Sequence, residues 1–217
     1  MLFYFSATGN SKYAALKIAA KIKEEPVSIA DCVKNREYTF ERKGREKIGF
    51  VTPVYFWGLP SIVRGFLEKL ELRFPDSRQP YTYYVATFGT TTGQAGRMAA
   101  ELLKRKGLSL NGRFSVQMPD TWTPIFDLTD KEKIRKINGR AEKQIAEAAD
   151  RIERELAGDF IRRKVPAFAV KVFYPQYEKA RETANFTVED TCIGCGLCAR
   201  KCPVEAIEIK DGRPVWV

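Results

Sequence analysis

The sequence predicts an α/β fold in which five parallel strands form a doubly wound sheet with the strand order 2-1-3-4-5. Short apolar runs alternate with stretches whose apolar residues recur every three or four positions, as strands alternating with helices do. Glycine-containing loops follow three of these apolar runs. A cysteine-rich stretch comes after the last helical pattern and predicts a second, smaller unit at the C-terminal end.

The individual elements follow from the same patterns. The short apolar runs predict strands over 2–6, 26–30, 47–54, 81–88 and 112–119. Helical spacing predicts helices over 11–23, 61–72 and 94–106, and residues 34–46 read as a charged connection. We divide the chain into a first domain over 1–158, a linker over 159–185 and a small half-domain over 186–217.

A long last helix is predicted because apolar residues keep steps of three and four after the fifth strand. The stripe consists of Ile134, Ile137, Ala141, Ile145, Ala148, Ile152 and Leu156. Such a stripe faces either the core of its own domain or a partner, and we expect it to face the core.

The composition indicates a globular protein with a basic surface. The 217 residues are 44% hydrophobic and carry a formal charge of +10. This charge favours an acidic redox partner, although basic residues spread over a solvated surface explain it equally well. No nucleic-acid-binding module is present, so we expect no nucleic-acid partner. Histidine is absent, which excludes Ser–His and Cys–His catalytic pairs and histidine-ligated metals.

The beginning of the chain does not resemble a secretion signal. Residues 1–5 contain no basic segment and lead directly into a polar loop. No apolar stretch approaches the ~18 residues that cross a bilayer. We therefore expect a cytoplasmic protein with no membrane partner. The sequence does not predict an oligomeric state.

The loop after the first strand reads Ser6-Ala7-Thr8-Gly9-Asn10-Ser11 and ends at a helix N-terminus. Free backbone N–H groups and the helix dipole bind phosphate at such a point. The spacing is neither that of a P-loop nor that of a dinucleotide-binding loop. A capped helix start is the alternative, but Asn10 or Ser11 would supply it without Ser6 and Thr8. We therefore predict a phosphate site.

Three aromatic residues in a row, Tyr55, Phe56 and Trp57, follow the third strand and precede Gly58. Side chains of a strand alternate in direction, so burying all three together is difficult. Those that project could sandwich a flat ring, and Gly58 would let the backbone approach it. Packing under the following helix explains this loop equally well.

The loop after the fourth strand, which includes Thr87, Phe88 and Gly89, is again small and rich in glycine and threonine. This loop alone is only weak evidence of a ligand-binding site. Ligands of doubly wound sheets bind beyond the carboxyl ends of the strands, where the strand order reverses. The three loops together therefore predict one pocket with a phosphate end and an aromatic end.

Four of the five cysteines form one run with the spacing C-x2-C-x2-C-x3-C-P: Cys192, Cys195, Cys198 and Cys202. This spacing matches the ferredoxin pattern that binds an iron–sulfur cluster. Zinc sites usually pair two CxxC knuckles across a longer loop, and disulfides are typical of small secreted domains. We therefore favour a cluster over both. The remaining thiol, Cys32, is predicted to be structural and half-buried.

The residues from Phe5 to Ser11 are similar to the FMN-phosphate loop of flavodoxins, Ser/Thr-x-Thr-Gly-Asn-Ser/Thr. With the cysteine run downstream, the whole chain resembles flavodoxin–ferredoxin fusions. The resemblance implies a flavodoxin-like sheet followed by a ferredoxin-like half-domain that binds a 4Fe–4S cluster. It implies that the FMN phosphate is held by Ser6, Thr8, Gly9, Asn10 and Ser11. It implies that the ring lies against Tyr55, Phe56, Trp57 and Gly58, with Thr87, Phe88 and Gly89 on the remaining side.

One departure from the resemblance concerns the cysteines. In two-cluster ferredoxins the fourth cysteine of each run binds the other cluster. The first three cysteines here would then need one further ligand, and Cys202 would need three. The segment 207–217, predicted as a hairpin with an Asp-Gly turn, ends without a second run. We expect either a truncated sequence or a degenerate domain whose cluster is incomplete or absent.

These features predict an electron-transfer flavoprotein that passes electrons between FMN and iron–sulfur clusters, with a redox protein as partner. No catalytic side chain is predicted. One alternative is an NAD(P)H- or ferredoxin-dependent reductase of a quinone or another small molecule. A second alternative is a non-enzymatic redox-sensing module.

Overall fold

The computed structural model describes residues 1–75, 79–184 and 186–217. Strands in these residues are β1 (Leu2–Tyr4), β2 (Pro26–Ser28), β3 (Thr39–Glu41), β4 (Ile48–Pro53), β5 (Glu71–Arg73), β6 (Thr82–Phe88), β7 (Gly112–Gln117), β8 (Gly158–Asp159), β9 (Ile207–Lys210) and β10 (Arg213–Trp216). Helices are α1 (Asn10–Ile22), α2 (Ile29–Asn35), α3 (Ser61–Lys69), α4 (Ala95–Arg105), α5 (Lys131–Glu153), α6 (Ala167–Phe173), α7 (Gln176–Ala180) and α8 (Leu197–Lys201).

The main sheet has the order β2-β1-β4-β6-β7-β8, and all its neighbouring strands are parallel. Its first five strands have the predicted order 2-1-3-4-5, which confirms the fold class. The sixth strand was not predicted. It consists of Gly158 and Asp159, which pair with Gly112 and Arg113 at the edge of the sheet.

Both faces of the sheet are covered, which explains the continuous apolar runs of its central strands. Successive side chains of a strand point to opposite faces. Phe3, Phe50 and Tyr84 accordingly belong to the core packed under α2, α3 and α4. Leu2, Val51 and Tyr83 belong to the core under α1 and α5.

Helix α5 confirms the prediction of a core-facing stripe. Ala141, Ile145, Ala148 and Ile152 are buried against the sheet. The Asp130 carboxylate caps the helix by accepting a hydrogen bond from the Lys133 N–H at 2.9 Å. The last apolar residue of the predicted stripe lies beyond the helix and is exposed.

The second strand is shorter than predicted because Ser28 caps a helix. Its hydroxyl accepts a hydrogen bond from the Asp31 N–H at 3.2 Å, so α2 begins at Ile29. Cys32 therefore lies in a helix instead of at a strand end, and it is fully buried instead of half-buried. The connection predicted over 34–46 also contains β3, which pairs with β5.

The segment predicted as a linker, 159–185, contains two short helices, α6 and α7, which pack onto the main domain. The Tyr174 hydroxyl donates a hydrogen bond to the Leu59 carbonyl at 2.5 Å. The division of the chain into domains stays a prediction.

The C-terminal segment contains α8 and the antiparallel hairpin of β9 and β10. The predicted Asp-Gly turn is present, with φ of 50° at Asp211 and 74° at Gly212. Lys34 and Glu205 form an exposed ion pair at 2.5 Å between this segment and α2. Among the described residues, no helix is long and apolar enough to span a membrane.

Candidate functional site

A cavity of about 470 Å³ lies at the carboxyl ends of β1, β4, β6 and β7, a size typical of ligand sites. It brings the three predicted loops together. The predicted site residues that line it are Ser6, Thr8, Asn10, Ser11, Tyr55, Phe56, Trp57, Thr87, Phe88 and Gly89. Gly9 and Gly58 belong to the same loops and shape their backbone without lining the cavity.

The phosphate end of the cavity is formed by the start of α1. Gly9 precedes the helix with a φ of 102°, a backbone conformation that favours glycine, and no side chain caps the helix. The Ser6 hydroxyl accepts a hydrogen bond from the Gly9 N–H at 3.1 Å and thereby tightens the loop. The uncapped N–H groups of the first turn and the helix dipole provide an anion-binding end.

All four predicted phosphate ligands that carry a polar side chain take part in hydrogen bonds within the protein. The Asn10 side-chain amide donates to the Pro119 carbonyl at 2.9 Å. The hydroxyls of Ser11 and Thr87 are 2.7 Å apart and buried. These contacts hold the first loop against the loops that follow β6 and β7. Thr8 is exposed, and its hydroxyl lies 2.9 Å from the Thr121 hydroxyl in the loop after β7.

The aromatic end is a tight turn between Tyr55 and Gly58. The Tyr55 N–H donates to the Gly58 carbonyl at 3.0 Å, and the Gly58 N–H donates to the Tyr55 carbonyl at 2.9 Å. The two central residues, Phe56 and Trp57, have positive φ values of 46° and 65°. Turns of this type favour Asn and Gly, and each bulky residue held there costs about 1–3 kcal/mol. Strain of this kind concentrates at functional sites.

Helices α6 and α7 hold this strained turn in place through ring contacts. Phe173 lies with its ring centroid 4.3 Å from that of Trp57 and 5.5 Å from that of Phe56. Tyr177 stacks on Phe56 at 5.7 Å. Trp122, in the loop after β7, also contacts Phe56, with the two ring centroids 5.7 Å apart.

A second loop packs against the turn so closely that it requires a glycine. The Gln94 N–H donates to the Trp57 carbonyl at 2.8 Å. Gly93 has a φ of 52°, and a Cβ at this position would overlap the Trp57 backbone. The aromatic turn is therefore fixed by backbone contacts as well as by rings.

Three polar groups in the cavity wall test whether a flat ligand with polar edges fits. The Thr91 hydroxyl is buried and has no hydrogen-bond partner among the described residues, although Thr91 lines the cavity. Buried polar groups are nearly always hydrogen-bonded, so this oxygen suits a ligand atom. Burial raises the pKa of the Asp120 carboxyl and raises the pKa of the Tyr55 hydroxyl to about 12. A ring with polar edges between aromatic walls fits this cavity.

Sequence reasoning missed two parts of the wall. The loop after β7 contributes Asp120, Trp122 and Ile125 to the cavity wall. The segment predicted as a linker contributes Phe173 and Tyr177. The loop with Asp120 follows the carboxyl end of a sheet strand, so the rule that ligands bind beyond these ends would have found it. Phe173 and Tyr177 had no signal in the local sequence, because α6 and α7 reach the cavity only through tertiary packing.

The four cysteines of the C-terminal run are free and accessible to differing degrees. Gly194 and Gly196 have positive φ values of 67° and 69°, which curl the backbone between them. The Ala206 N–H donates to the Cys202 sulfur at 3.3 Å. The donor set is that of an iron–sulfur site, but across the described ranges no three potential ligands are close enough to share one metal ion.

Comparison with known protein families gives two matches. The family model of the flavodoxin domain matches residues 1–147, and that of the 4Fe–4S binding domain matches residues 186–208. Ferredoxin-1 of Rhodospirillum rubrum is 58% identical over 26 residues, which are 12% of this chain and 47% of the ferredoxin. The chain thus spans about half the length of that curated relative.

Similar solved structures include the Fusobacterium nucleatum flavodoxin bound to flavin mononucleotide, at 14% identity and a TM-score of 0.44, covering 71% of this chain and 96% of that one. The Trp repressor binding protein of Bacillus subtilis is 13% identical with a TM-score of 0.40, covering 70% and 96%. The rubredoxin oxygen:oxidoreductase of Desulfovibrio gigas is 14% identical with a TM-score of 0.39, covering 68% and 36%.

A flavodoxin domain implies FMN, and a 4Fe–4S binding domain implies a 4Fe–4S cluster. The predicted cofactors are confirmed at this level. The assignment of individual residues to these cofactors stays a prediction.

Proposed function

This chain belongs to the flavodoxin domain family, and we propose that it is an electron-transfer flavoprotein that passes electrons between FMN and an iron–sulfur cluster. The observation that carries the proposal is the convergence of an anion-binding helix start and an aromatic turn in one cavity. FMN exchanges one or two electrons when bound, whereas an iron–sulfur cluster exchanges one. The residues of this chain bind, orient and shield these groups.

The start of α1 would hold the FMN phosphate. The backbone N–H groups after Gly9 and the hydroxyls of Ser6 and Thr8 supply neutral donors at the positive end of the helix dipole. No lysine or arginine lines the described cavity. Binding at this end therefore depends on hydrogen bonds and the dipole instead of on side-chain cations.

The aromatic turn would hold the ring. Phe56 and Trp57 offer flat apolar surfaces, and contacts with Phe173 and Tyr177 keep the turn from relaxing. The Thr91 hydroxyl, which has no hydrogen-bond partner among the described residues, would form a hydrogen bond with a polar atom of the ligand. Together these side chains orient the ring and keep water from much of its surface.

The cysteines Cys192, Cys195, Cys198 and Cys202 would hold the iron–sulfur cluster. Their spacing and their thiol chemistry support this assignment. Free thiols also suit a reducing compartment, and we keep the cytoplasm as the proposed location.

An acidic redox protein is the proposed partner. Lys171 is an exposed cation of α6, the helix whose Phe173 lines the cavity, and Arg163 is an exposed cation four residues before this helix begins. Phe168 and Val172 of the same helix are each 75% exposed. An apolar patch flanked by cations near the cofactor cavity supports an interface with an acidic protein.

A reductase of a flat apolar molecule is the second candidate. Trp122 and Ile125 line the cavity and remain 48% and 65% exposed. Their exposed apolar surface supports contact with a quinone-like ring at the cavity mouth.

The test separates the two candidates by their electron donors. We expect the FMN-loaded protein to be reduced by light and a sacrificial donor, and to exchange electrons rapidly with a low-potential iron–sulfur protein, without sustained NADPH oxidation. Steady quinone reduction with NADPH would favour the reductase. Failure to bind added FMN would contradict both.

A further inference from the structure

The charges of α5 are distributed against its own helix dipole. Its first thirteen residues, 131–143, contain six cations and two carboxylates, whereas its last ten, 144–153, contain one cation and three carboxylates. A helix is stabilised by carboxylates near its N-terminus and by cations near its C-terminus. The charges of α5 therefore oppose helix stability, and a local choice of this kind is typical of a surface with a function.

The position of α5 follows from its contacts with α1. The Tyr13 hydroxyl donates a hydrogen bond to the Glu142 carboxylate, and the Lys21 ammonium lies 3.4 Å from the Asp150 carboxylate. Both pairs join residues that are 129 positions apart in the sequence. Because this separation is constant along the two helices, α1 and α5 run parallel and in a fixed register.

This register places the first two turns of α5 beyond the start of α1. Residues 131–138 precede the level of Asn10, where α1 begins. At 1.5 Å per residue they extend about 12 Å past the phosphate end of the cavity. Ile134 and Ile137, the first two residues of the predicted apolar stripe, therefore have no sheet to pack on. Both are half-buried and belong to neither core of the described structure. We call residues 131–138 the α5 overhang.

The α5 overhang is basic. Its cations are Lys131, Lys133, Arg135 and Lys136, and all four are exposed. Its single carboxylate, that of Glu132, lies 3.3 Å from both Arg135 and Lys136. Lys131 and Lys133 form no ion pair with any other residue that the structure describes. These two ammonium groups are therefore available to a partner.

Two carboxylates that precede the overhang do not cancel its charge. Asp130 accepts a hydrogen bond from the Lys133 N–H and caps the helix. Asp127 accepts hydrogen bonds from the N–H and the hydroxyl of Thr129 at 2.8 Å and 2.9 Å. With both included, residues 127–143 contain six cations and four carboxylates, a net charge of +2. Lys12, which is exposed in the first turn of α1, adds a further cation at this end of the molecule.

We propose that the α5 overhang is a docking surface that steers the acidic redox protein to the phosphate end of the cavity. The inference rests on the proposed function, and it adds a second contact to the patch on α6, which flanks the aromatic end. Opposite charges raise the rate of encounter between two proteins more than they raise affinity. A protein is favoured over a lipid surface because two half-buried isoleucines offer far less apolar area than a membrane-bound helix buries.

The experiment uses a double variant, Lys131→Gln with Lys133→Gln. Loss of cations near a helix N-terminus does not weaken the helix, so this variant should fold. The probe is an acidic plant-type 2Fe–2S ferredoxin, reduced beforehand and mixed with the oxidised, FMN-loaded protein in a stopped-flow instrument. At about 20 mM salt we expect the second-order rate constant of flavin reduction to fall about tenfold relative to the parent. At about 0.5 M salt the two rates should be equal, because the Debye length shrinks to about 4 Å.

The matched control is Lys104→Gln with Lys106→Gln. It removes the same charge from two exposed lysines at the C-terminal end of α4, neither of which lines the cavity. This control should leave the rate constant unchanged. A small uncharged photoreductant should reduce the flavin of all three proteins at the same rate, because it does not depend on steering by charge.

An unchanged rate in the overhang variant would overturn the inference. So would an equal fall in the control variant, a fall that persists at high salt, or an equal fall with the uncharged reductant. Weaker binding of the overhang variant to phosphatidylserine vesicles, with an unchanged ferredoxin rate, would assign the surface to a membrane and also overturn it. A parent protein that binds no FMN, or that accepts no electrons from the ferredoxin, would instead overturn the proposed function.

Discussion

Two adjacent tyrosines of β6 show how single side chains determine the interior. Tyr83 and Tyr84 are both fully buried, on opposite faces of the sheet. The Tyr84 hydroxyl is 2.9 Å from the Thr52 hydroxyl. The Tyr83 hydroxyl has no hydrogen-bond partner among the described residues. A buried polar group without a partner destabilises the folded state, whereas a paired one does not.

Removing these two hydroxyls should therefore have opposite effects on the free energy of unfolding. We expect Tyr83→Phe to raise the free energy of unfolding by about 1 kcal/mol, because it removes an unpaired buried group. Tyr84→Phe should lower it by about 1 kcal/mol, because it breaks the bond to Thr52. Urea unfolding of the two variants and the parent measures both values. Equal destabilisation by both substitutions would mean that the Tyr83 hydroxyl has a partner in solution.

Cys32 differs from the other four cysteines in its environment. It is 3% exposed, and burial raises the pKa of its thiol to about 11. A thiol must be deprotonated and accessible to react. In native iron-free protein at pH 8, iodoacetamide should therefore modify Cys192, Cys195, Cys198 and Cys202 and leave Cys32 unmodified. Mass spectrometry of the digested protein measures this pattern, with urea-unfolded protein as the control in which all five react. Early labelling of Cys32 would contradict its placement in the core.

The residue scale also shows why the sequence located the cavity but not its whole wall. The loop from Ser6 to Ser11 was predicted because its residues suit one local task at a helix start. Thr91 lies in the third predicted loop but was not assigned a role, and Asp120 was not predicted, because a threonine or an aspartate in a loop is ordinary until its neighbours are known. Their significance comes from burial and from the absence of a pairing cation, which only the assembled structure shows.

At the scale of elements, α6 and α7 are the two helices that the sequence analysis did not predict. Their residues were predicted as a linker, since charged residues, aromatic residues, Pro166 and Pro175 are mixed in this segment. Neither helix has the length for a clear periodic pattern. Tertiary contacts with the aromatic turn stabilise them instead. The two-residue strand β8 was missed for the same reason, because only pairing with β7 defines it.

The role of α6 in the site is testable with two phenylalanines of that helix. Phe173 packs on Trp57 and Phe56, whereas Phe168 is 75% exposed. Aromatic pairs contribute about 0.5–1.5 kcal/mol each beyond the area they bury. We therefore expect Phe173→Ala to weaken FMN binding about tenfold through relaxation of the turn.

Phe168→Ala is the matched control and should leave FMN affinity unchanged. Quenching of FMN fluorescence on titration measures both variants. A loss of affinity that is equal in the two would show that α6 acts through general stability instead of through the turn.

At the scale of the whole molecule, the order of the first five strands in the sheet was predictable because strands alternate with helices along the sequence. Strands buried on both faces read as apolar runs, and helices between them impose parallel pairing. The position of the cavity then follows from the fold, because the carboxyl ends of β1, β4 and β6 meet where the strand order reverses. Resemblance to flavodoxins added the identity of the ligand, which no spacing argument supplied.

The central claim is that this cavity binds FMN through a phosphate site at the start of α1 and an aromatic turn beside it. Parallel titrations of the flavin-free protein with FMN and with riboflavin, which lacks the phosphate, test this most directly. We expect one FMN per chain, with riboflavin binding about a hundredfold more weakly because it forgoes the hydrogen bonds to a charged group. Equal affinity for the two flavins, or no binding of FMN, would contradict the account.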